Sequence, residues 1–304
     1  MGALIGIFLI SAAMLLLELA LLRIFAVQQF YHFAFMAISL ALLGAGASGS
    51  LLSVWRRRFS PAKLSLLFTI TTILAYLVIN SSPFDSFSIA WDSRQILYLA
   101  IYFLAAAVPF LFGGLLIGGE LISAGEESGA GSHRVYGANL MGSACGSLGS
   151  LLVLDWFGAP GTVVLTGAVG AAAGLVFVVD DRKSLSWGHQ PFTAIALAAA
   201  VLLGLLALWR PPEMLQQQLS PYKTLSIIKQ ALDARHTLSE ADATARIDVV
   251  ESPVIHVMPG LSLSSAVGLP EQAGLMIDGD SLLPINRLAA ESEQAQFLAR
   301  NLPL

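Results

Sequence analysis

Seven stretches of about 20 mainly apolar residues fill the first two thirds of the chain and restrict what it can fold into. They cover residues 3–24, 31–54, 63–80, 96–119, 136–156, 160–179 and 192–209. A helix of about 20 apolar residues crosses the hydrocarbon core of a bilayer. Isolated apolar strands would leave backbone groups without hydrogen bonds in lipid. The sequence therefore predicts an α-helical polytopic membrane bundle of about seven transmembrane helices.

Charged residues are concentrated after position 209. Residues 1–209 carry 9 Lys/Arg and 9 Asp/Glu, whereas residues 210–304 carry 7 and 11. We expect a transmembrane domain over 1–209, a linker over 210–219 and a small polar domain over 220–304. The net charge of −4 argues against a nucleic-acid-binding protein. Cys145 is the only cysteine, so neither a disulfide framework nor a Cys-based zinc site is expected.

The polar domain has the patterns of a small antiparallel β unit followed by one terminal helix. Residues 246–249 alternate polar and apolar, as in a half-buried strand, and residues 254–257 predict a second strand. Residues 274–277 lead into Asp278-Gly279, which is typical of a tight hairpin turn. Residues 290–300 predict a helix. His236 and His256 are isolated in sequence, so a surface or core position is favoured over a metal-ligand role, and no metal site is expected.

Ionisable and polar residues at membrane depth are the candidate functional residues of the helical part, because such groups are costly in lipid. Glu18, His32 and Asn139 form this intramembrane set. Glu18 has two possible partners on neighbouring helices, His32 and Asn139. A polar clamp that fixes the helix register and a relay for protons or substrate are both compatible with this pattern.

Small residues recur at helical spacing on the second, fourth and fifth spans. One stripe contains Gly142 and Gly146, and another contains Gly114 and Gly118. Small faces allow close approach of helices. Tight packing within the bundle is the favoured interpretation, and a path for a small molecule is the alternative.

Basic residues lie mainly in the loops after the second, fourth and sixth predicted spans. These loops and their edges contain Arg56, Arg57, Arg58, Lys63, Arg134, Arg182 and Lys183. The positive-inside rule assigns this side to the cytoplasm. With seven spans, the polar domain would then emerge on the opposite side.

Several segments resemble spermidine synthases (polyamine aminopropyltransferases), in particular membrane-attached members of that family. Residues 220–223 (Ser-Pro-Tyr-Lys) are similar to the family's Ser-x-Tyr-Gln strand, and residues 275–280 are similar to its Leu-Asp-Gly hairpin. Further similar segments lie at 17–23, 31–49, 109–110, 136–139, 245–253 and 301–304. Their order extends over nearly the whole chain.

The resemblance implies that residues 220–304 correspond to the family's N-terminal β domain, with Tyr222, Lys223 and Asp278 as candidate substrate-binding residues. In the family, a doubly wound α/β domain follows, which binds decarboxylated S-adenosylmethionine and supplies the catalytic aspartate. That domain is absent from this chain, so we expect no catalytic residue here and no cofactor. Decarboxylated S-adenosylmethionine would be a co-substrate only with the missing domain supplied. Lys223 also departs from the family's glutamine, and a cation there would repel sulfonium and amine charges.

Three functions follow from these observations. The first is a truncated or split aminopropyltransferase, inactive alone, for aminopropyl transfer from decarboxylated S-adenosylmethionine to an amine. The second is a polytopic transporter, and the third is a membrane interaction protein without enzymatic activity. The expected partners are the lipid bilayer and either a separately encoded catalytic domain or further copies of the chain. The expected location is a bacterial inner (plasma) membrane.

Overall fold

The computed structural model describes residues 1–55, 59–86, 88–127, 129–181, 190–209, 215–258, 269–287 and 295. The chain divides into two compact units, Met1–Gln218 and Leu219–Leu304. We call them the helical unit and the β unit.

The helical unit contains, within its described residues, six helices that are long and apolar enough to cross a membrane. They are α1 (Gly2–Gln28), α2 (Tyr31–Val54), α3 (Pro61–Ser81), α4 (Arg94–Glu127), α5 (Gly129–Asp181) and α6 (Gln190–Trp209). The predicted spans 136–156 and 160–179 both fall within α5. A membrane-spanning helical bundle is therefore supported, whereas the count of seven crossings stays a prediction.

Helix α5 is a helical hairpin and not a straight rod. Gly158 interrupts it with φ 65° and ψ 178°. Gly142, before this break, lies against Phe8 of α1, and Phe177, after it, lies against Gly6. A straight helix would separate residues 142 and 177 by about 50 Å at 1.5 Å per residue. The two halves, residues 129–157 (α5a) and 159–181 (α5b), therefore fold back so that both lie along α1.

The glycine stripes pack helices against one another. A methyl group at Gly142 would overlap the carbonyl oxygen of Phe8, and one at Gly146 would overlap that of Ala12. On α4, a methyl group at Gly114 would overlap the side-chain hydroxyl of Ser48 on α2. Among the described residues, α1 contributes eight members of the buried core, from Ile7 to Phe25. The packing interpretation of the stripes is confirmed at these positions.

The β unit is a four-stranded antiparallel sheet with one short helix. Helix α7 (Thr224–Ile228) precedes strands β1 (Arg235–Ala241), β2 (Arg246–Glu251), β3 (Gln272–Ile277) and β4 (Asp280–Asn286), which pair in the order β1-β2-β3-β4. The predicted hairpin turn joins β3 to β4. Asp278 and Gly279 both have positive φ, 53° and 74°. A type I′ hairpin turn requires positive φ at both of its central residues.

Two expectations for the β unit are wrong, and one lies outside the described residues. The predicted strand over 254–257 does not form: Val254 lies in a turn, and residues 255–258 have no regular secondary structure. Pro253 directly precedes Val254, and the side chain of Ile255 packs in the core. Residues 220–223 form a turn before α7 instead of a strand. Of the predicted terminal helix over 290–300, only Ala295 is described, and it is helical.

Candidate functional site

The three candidate substrate-binding residues lie around the β3–β4 turn, where two of them are part of its structure. Lys223 is only 2% exposed, and its Nζ donates a 2.8 Å hydrogen bond to the carbonyl oxygen of Asp278. The neighbouring Thr224 donates a 2.6 Å hydrogen bond to the Asp280 carboxylate. Tyr222 is exposed. The Lys223 ammonium group therefore links the start of α7 to the β3–β4 hairpin by a hydrogen bond, and it does not face an open cleft.

A second charged cluster is buried in the sheet. Asp248 is fully buried on β2. Its Oδ1 lies 2.9 Å from His236 Nε2 on β1 and accepts a 3.0 Å hydrogen bond from the Arg246 guanidinium. Arg246 Nε is 2.9 Å from Oδ2, but this ion pair lacks hydrogen-bond geometry, so both atoms are without a hydrogen-bond partner. The backbone N–H of Arg246 donates to Asp278 Oδ1 at 2.9 Å, which connects the cluster to the turn.

The inward face of β2 carries the acidic Asp248 next to the apolar Val250, and Ile247 and Val249 lie on the outward face. Asp248 and Val250 are buried, whereas Ile247 is 37% exposed. Asp248 pairs with Met276 of β3, and paired residues lie on the same face of a sheet. Met276 and Val250 pack with α7 in the small core. The alternation in residues 246–249 thus predicts a strand correctly, but the buried residue of that alternation is the acidic one.

The outward face of the sheet contains a row of apolar side chains, with Glu240 and Glu251 on the same face. Leu238, Val249, Leu275 and Leu283 are successive cross-strand partners, so they form one row on that face. Five side chains of this face are between 37% and 50% exposed: Leu238, Ile247, Ile277, Leu283 and Ile285. We call this surface the open face. Contiguous exposed apolar patches on a folded domain usually mark an interaction site.

The intramembrane set predicted from the sequence does not come together. Asn139 accepts a 2.8 Å hydrogen bond from Ser11 of α1. His32 is exposed and stacks on Phe30 with ring centroids 5.9 Å apart. Among the described residues, no hydrogen bond or ion pair joins Glu18 to His32 or to Asn139. The arrangement gives a helix-to-helix contact at Asn139 but no continuous relay.

Instead, the polar centre of the helical unit is a group of amides and tyrosines at one end of α1, α3 and α4. The side-chain amide of Gln28 donates a 2.8 Å hydrogen bond to Asn80 Oδ1. The Tyr102 hydroxyl donates a 3.4 Å hydrogen bond to Gln28 Oε1. All three side chains are buried. Burial of amide groups in an apolar bundle is tolerated when they are hydrogen-bonded to each other.

This amide group holds the segment Leu215–Gln218, which we call the strap. Tyr76 donates a 2.7 Å hydrogen bond to the carbonyl of Leu215. Asn80 donates to the carbonyl of Gln216 at 2.9 Å and accepts from the backbone N–H of Gln218 at 3.0 Å. Gln217 donates to the carbonyl of Ile24 at 3.1 Å. Part of the linker predicted over 210–219 is thus an integral piece of the helical unit.

Two cavities have sizes suited to small molecules. One of about 490 Å³ lies in the helical unit, where Trp55, Phe59, Glu120 and Glu126 contribute to its walls. The other, of about 440 Å³, lies in the β unit beside Arg235, His256 and Glu271. The charged side chains named for the first cavity, Glu120 and Glu126, are both acidic, whereas the second cavity has acidic and basic side chains in its walls. Neither set by itself indicates a particular ligand class.

Comparison with known proteins gives no match: no protein-family model, curated protein or solved structure matches this chain. Within the described residues, no group of three His, Cys, Asp or Glu side chains is arranged to hold a metal ion.

Sequence reasoning missed the strap, the buried Asp248 cluster and the open face. The strap joins residues 136 or more positions apart in sequence, so no local pattern reveals it. The pairing of His236 with Asp248 depends on the β1–β2 register. One available signal was the aspartate itself, because Asp is disfavoured in strands and needs a specific partner there.

Proposed function

We propose that this chain is a membrane-anchored docking protein, spermidine synthase-like in its segments, which is not catalytic by itself. In this proposal the helical unit anchors the chain and the β unit binds a separate α/β catalytic domain. The open face is the observation that carries the proposal. It is an apolar surface spread over all four strands, on a unit whose opposite face already has its core.

The polar residues of the β unit favour a docking role over catalysis. Lys223 and Asp248 are buried and paired, and Thr224 is hydrogen-bonded to Asp280. A general acid or base has to reach the proton that it transfers. These groups instead stabilise the turn and the sheet that display the open face.

We further propose that the helical unit crosses the membrane seven times, because α5 contributes two crossings. Its halves contain 29 and 23 residues, counted from the bounds of α5 and the break at Gly158, and each exceeds the length of about 20 needed for one crossing. Trp156, two residues before the break, is 71% exposed. Exposed tryptophans are enriched at the membrane–water interface, which supports a turn at Gly158 at one membrane surface.

The transporter alternative lacks a comparable observation. Among the described residues, no hydrogen bond or ion pair joins Glu18 to His32 or Asn139, and the space beside Gly142 and Gly146 is filled by α1. A transport pathway usually requires polar groups that face one another or a shared cavity.

Binding of a catalytic domain in trans tests the docking proposal. The full chain in detergent is mixed with the isolated α/β domain of a spermidine synthase, and the dissociation constant is measured by biolayer interferometry. Leu283→Lys places a charge on the open face and is expected to weaken binding at least about tenfold, since a tenfold change is 1.4 kcal/mol. Leu232→Lys is the matched control, because Leu232 is 87% exposed in a turn outside the sheet.

Equal binding by the two variants, or no binding by the unmodified chain, would count against this function. Light scattering on the same samples identifies self-association, in which case a second copy would be the occupant of the open face.

A further inference from the structure

We infer that the β unit lies on the side of the membrane opposite the basic loops, which is the side away from the cytoplasm. The inference combines the position of the strap with the charges of the loops. It does not depend on the docking proposal, but it restricts which partners can reach the open face.

The strap identifies one end of the helical unit, which we call the strap end. Gln28 is the last residue of α1 and Asn80 lies one residue before the end of α3, and they are hydrogen-bonded at 2.8 Å. Tyr102, near the start of α4, reaches Gln28. Asn80 binds the strap directly. The C-terminal ends of α1 and α3, the start of α4 and the strap are therefore at the same end.

The path through α5 and α6 leads to the same end independently. Asp180, at the end of α5b, accepts a 2.9 Å hydrogen bond from the backbone N–H of Ala3, so α5b ends beside the start of α1. Along α6, Leu197 lies against Gly174 and Leu208 lies against Gly161. Helix α6 is thus antiparallel to α5b and finishes at the strap end.

The number of crossings between the start of α1 and the strap is therefore odd. If α5 crossed only once, α6 would finish beside the start of α1, about 30 Å or more from Asn80 across the hydrocarbon core. The hydrogen bonds from Tyr76 and Asn80 to the strap could then not form.

The loop charges assign the two ends to the two sides of the membrane. The described helices that flank residues 56–58 and 182–189 end or begin opposite the strap, and the sequence of these two segments includes Arg56-Arg57-Arg58 and Arg182-Lys183. By sequence, the segments that connect the helix ends at the strap end carry Arg94, at the start of α4, and Arg210, after α6. Since cytoplasmic loops carry the excess of Lys and Arg, the strap end faces away from the cytoplasm. The chain enters the β unit at Leu219, directly after the strap.

This sidedness has a chemical consequence for the open face. A partner has to present its complementary apolar surface outside the cytoplasm. A cytosolic sulfonium donor such as decarboxylated S-adenosylmethionine would not reach the β unit without being exported. A catalytic domain that binds to the open face would therefore also have to lie outside the cytoplasm and use a donor that is present there.

Cysteine labelling of the full chain tests the inference. Cys145 is the only cysteine, so Cys145→Ser gives a cysteine-free background. Single cysteines are then placed at three exposed positions: Leu232 in the β unit, Ser93 before α4 at the strap end, and His133 at the opposite end. Spheroplasts of a bacterial host are treated with a membrane-impermeant maleimide before and after permeabilisation.

We expect Leu232→Cys and Ser93→Cys to be labelled equally in intact and permeabilised spheroplasts, and His133→Cys only after permeabilisation. Protection of Leu232→Cys together with labelling of Ser93→Cys would overturn the odd number of crossings. Protection of both, with His133→Cys labelled, would overturn the orientation. Labelling of all three in intact spheroplasts would overturn a single orientation. Trans binding of a catalytic domain is measured separately in detergent, so failure of one proposal does not imply failure of the other.

Discussion

Asp248 is a carboxylate in the interior of a sheet whose core contains few other side chains. Transfer of an ionised carboxylate from water into a protein interior is strongly unfavourable unless it is paired. His236 on β1 and Arg246, two residues before Asp248 on β2, provide that pairing. Both partners keep part of their side chains exposed, at 27% and 18%, whereas Asp248 has none. Asp248 is therefore the member of the cluster whose burial is unfavourable without the other two residues.

Removal of Arg246 should destabilise the β unit more than removal of the whole ion pair. We expect Arg246→Ala to lower the free energy of unfolding by about 3–5 kcal/mol, because it leaves a buried charge without its main partner. Arg246→Met combined with Asp248→Leu should recover most of that loss. Hydrogen exchange of the β2 and β3 peptides in the detergent-solubilised full chain measures both effects. Equal destabilisation by the single and double variants would show that Asp248 has another role.

At the scale of elements, α1 contacts α5a through close backbone approach and α5b through side chains such as the Phe177 ring, which lies against Gly6. Gly142 and Gly146 on α5a leave no space for a methyl group, because the carbonyls of Phe8 and Ala12 occupy it. In lipid, such close packing replaces the hydrophobic driving force that stabilises soluble bundles. The stability of the helical unit should therefore depend on particular glycines and not on glycine content.

Two glycines of the same helix give a matched comparison. Gly142→Ala forces a methyl group against Phe8 and should destabilise the bundle by about 1–3 kcal/mol, the usual cost of overpacking. A methyl group at Gly149 would meet no other atom within 4 Å, so Gly149→Ala should be neutral or slightly stabilising through its higher helix propensity. Thermal unfolding followed by tryptophan fluorescence in detergent compares them. Equal melting temperatures would mean that the α1–α5a contact contributes little.

The sequence predicts those elements whose signal is local. Long apolar runs indicate the helices, and Asp278-Gly279 indicates the hairpin, because turn geometry depends on the residues in the turn. Strand β1 was missed, since all seven of its residues are exposed and its pattern lacks a buried side. The orientation of β2 was also not predictable, because the buried position of Asp248 depends on His236 of a different strand. The same reason applies to Gln28 and Asn80, which are 52 positions apart.

At the scale of the whole molecule, the strap holds the last residues of the helical unit against its helices. Four hydrogen bonds that involve side chains, with the backbone of Leu215, Gln216, Gln218 and Ile24, restrain residues 215–218. Each such bond contributes about 0.5–1.5 kcal/mol. The position at which the chain leaves the membrane domain is thereby determined by α1 and α3.

Release of the strap should be measurable at its own amides, although Asn80 also accepts the hydrogen bond of Gln28 within the bundle. Asn80→Leu removes the acceptor of the Gln218 N–H, so we expect faster hydrogen exchange at that amide, by about fivefold if one bond is worth about 1 kcal/mol. Ser81→Ala is the control, because this exposed neighbour bonds only within its own helix, to the carbonyl of Leu77. Exchange is followed by mass spectrometry on peptides that cover the strap and, separately, α1. Faster exchange in α1 as well would indicate that the amide group stabilises the helix ends themselves, whereas unchanged exchange at Gln218 would mean that Asn80 does not hold the strap.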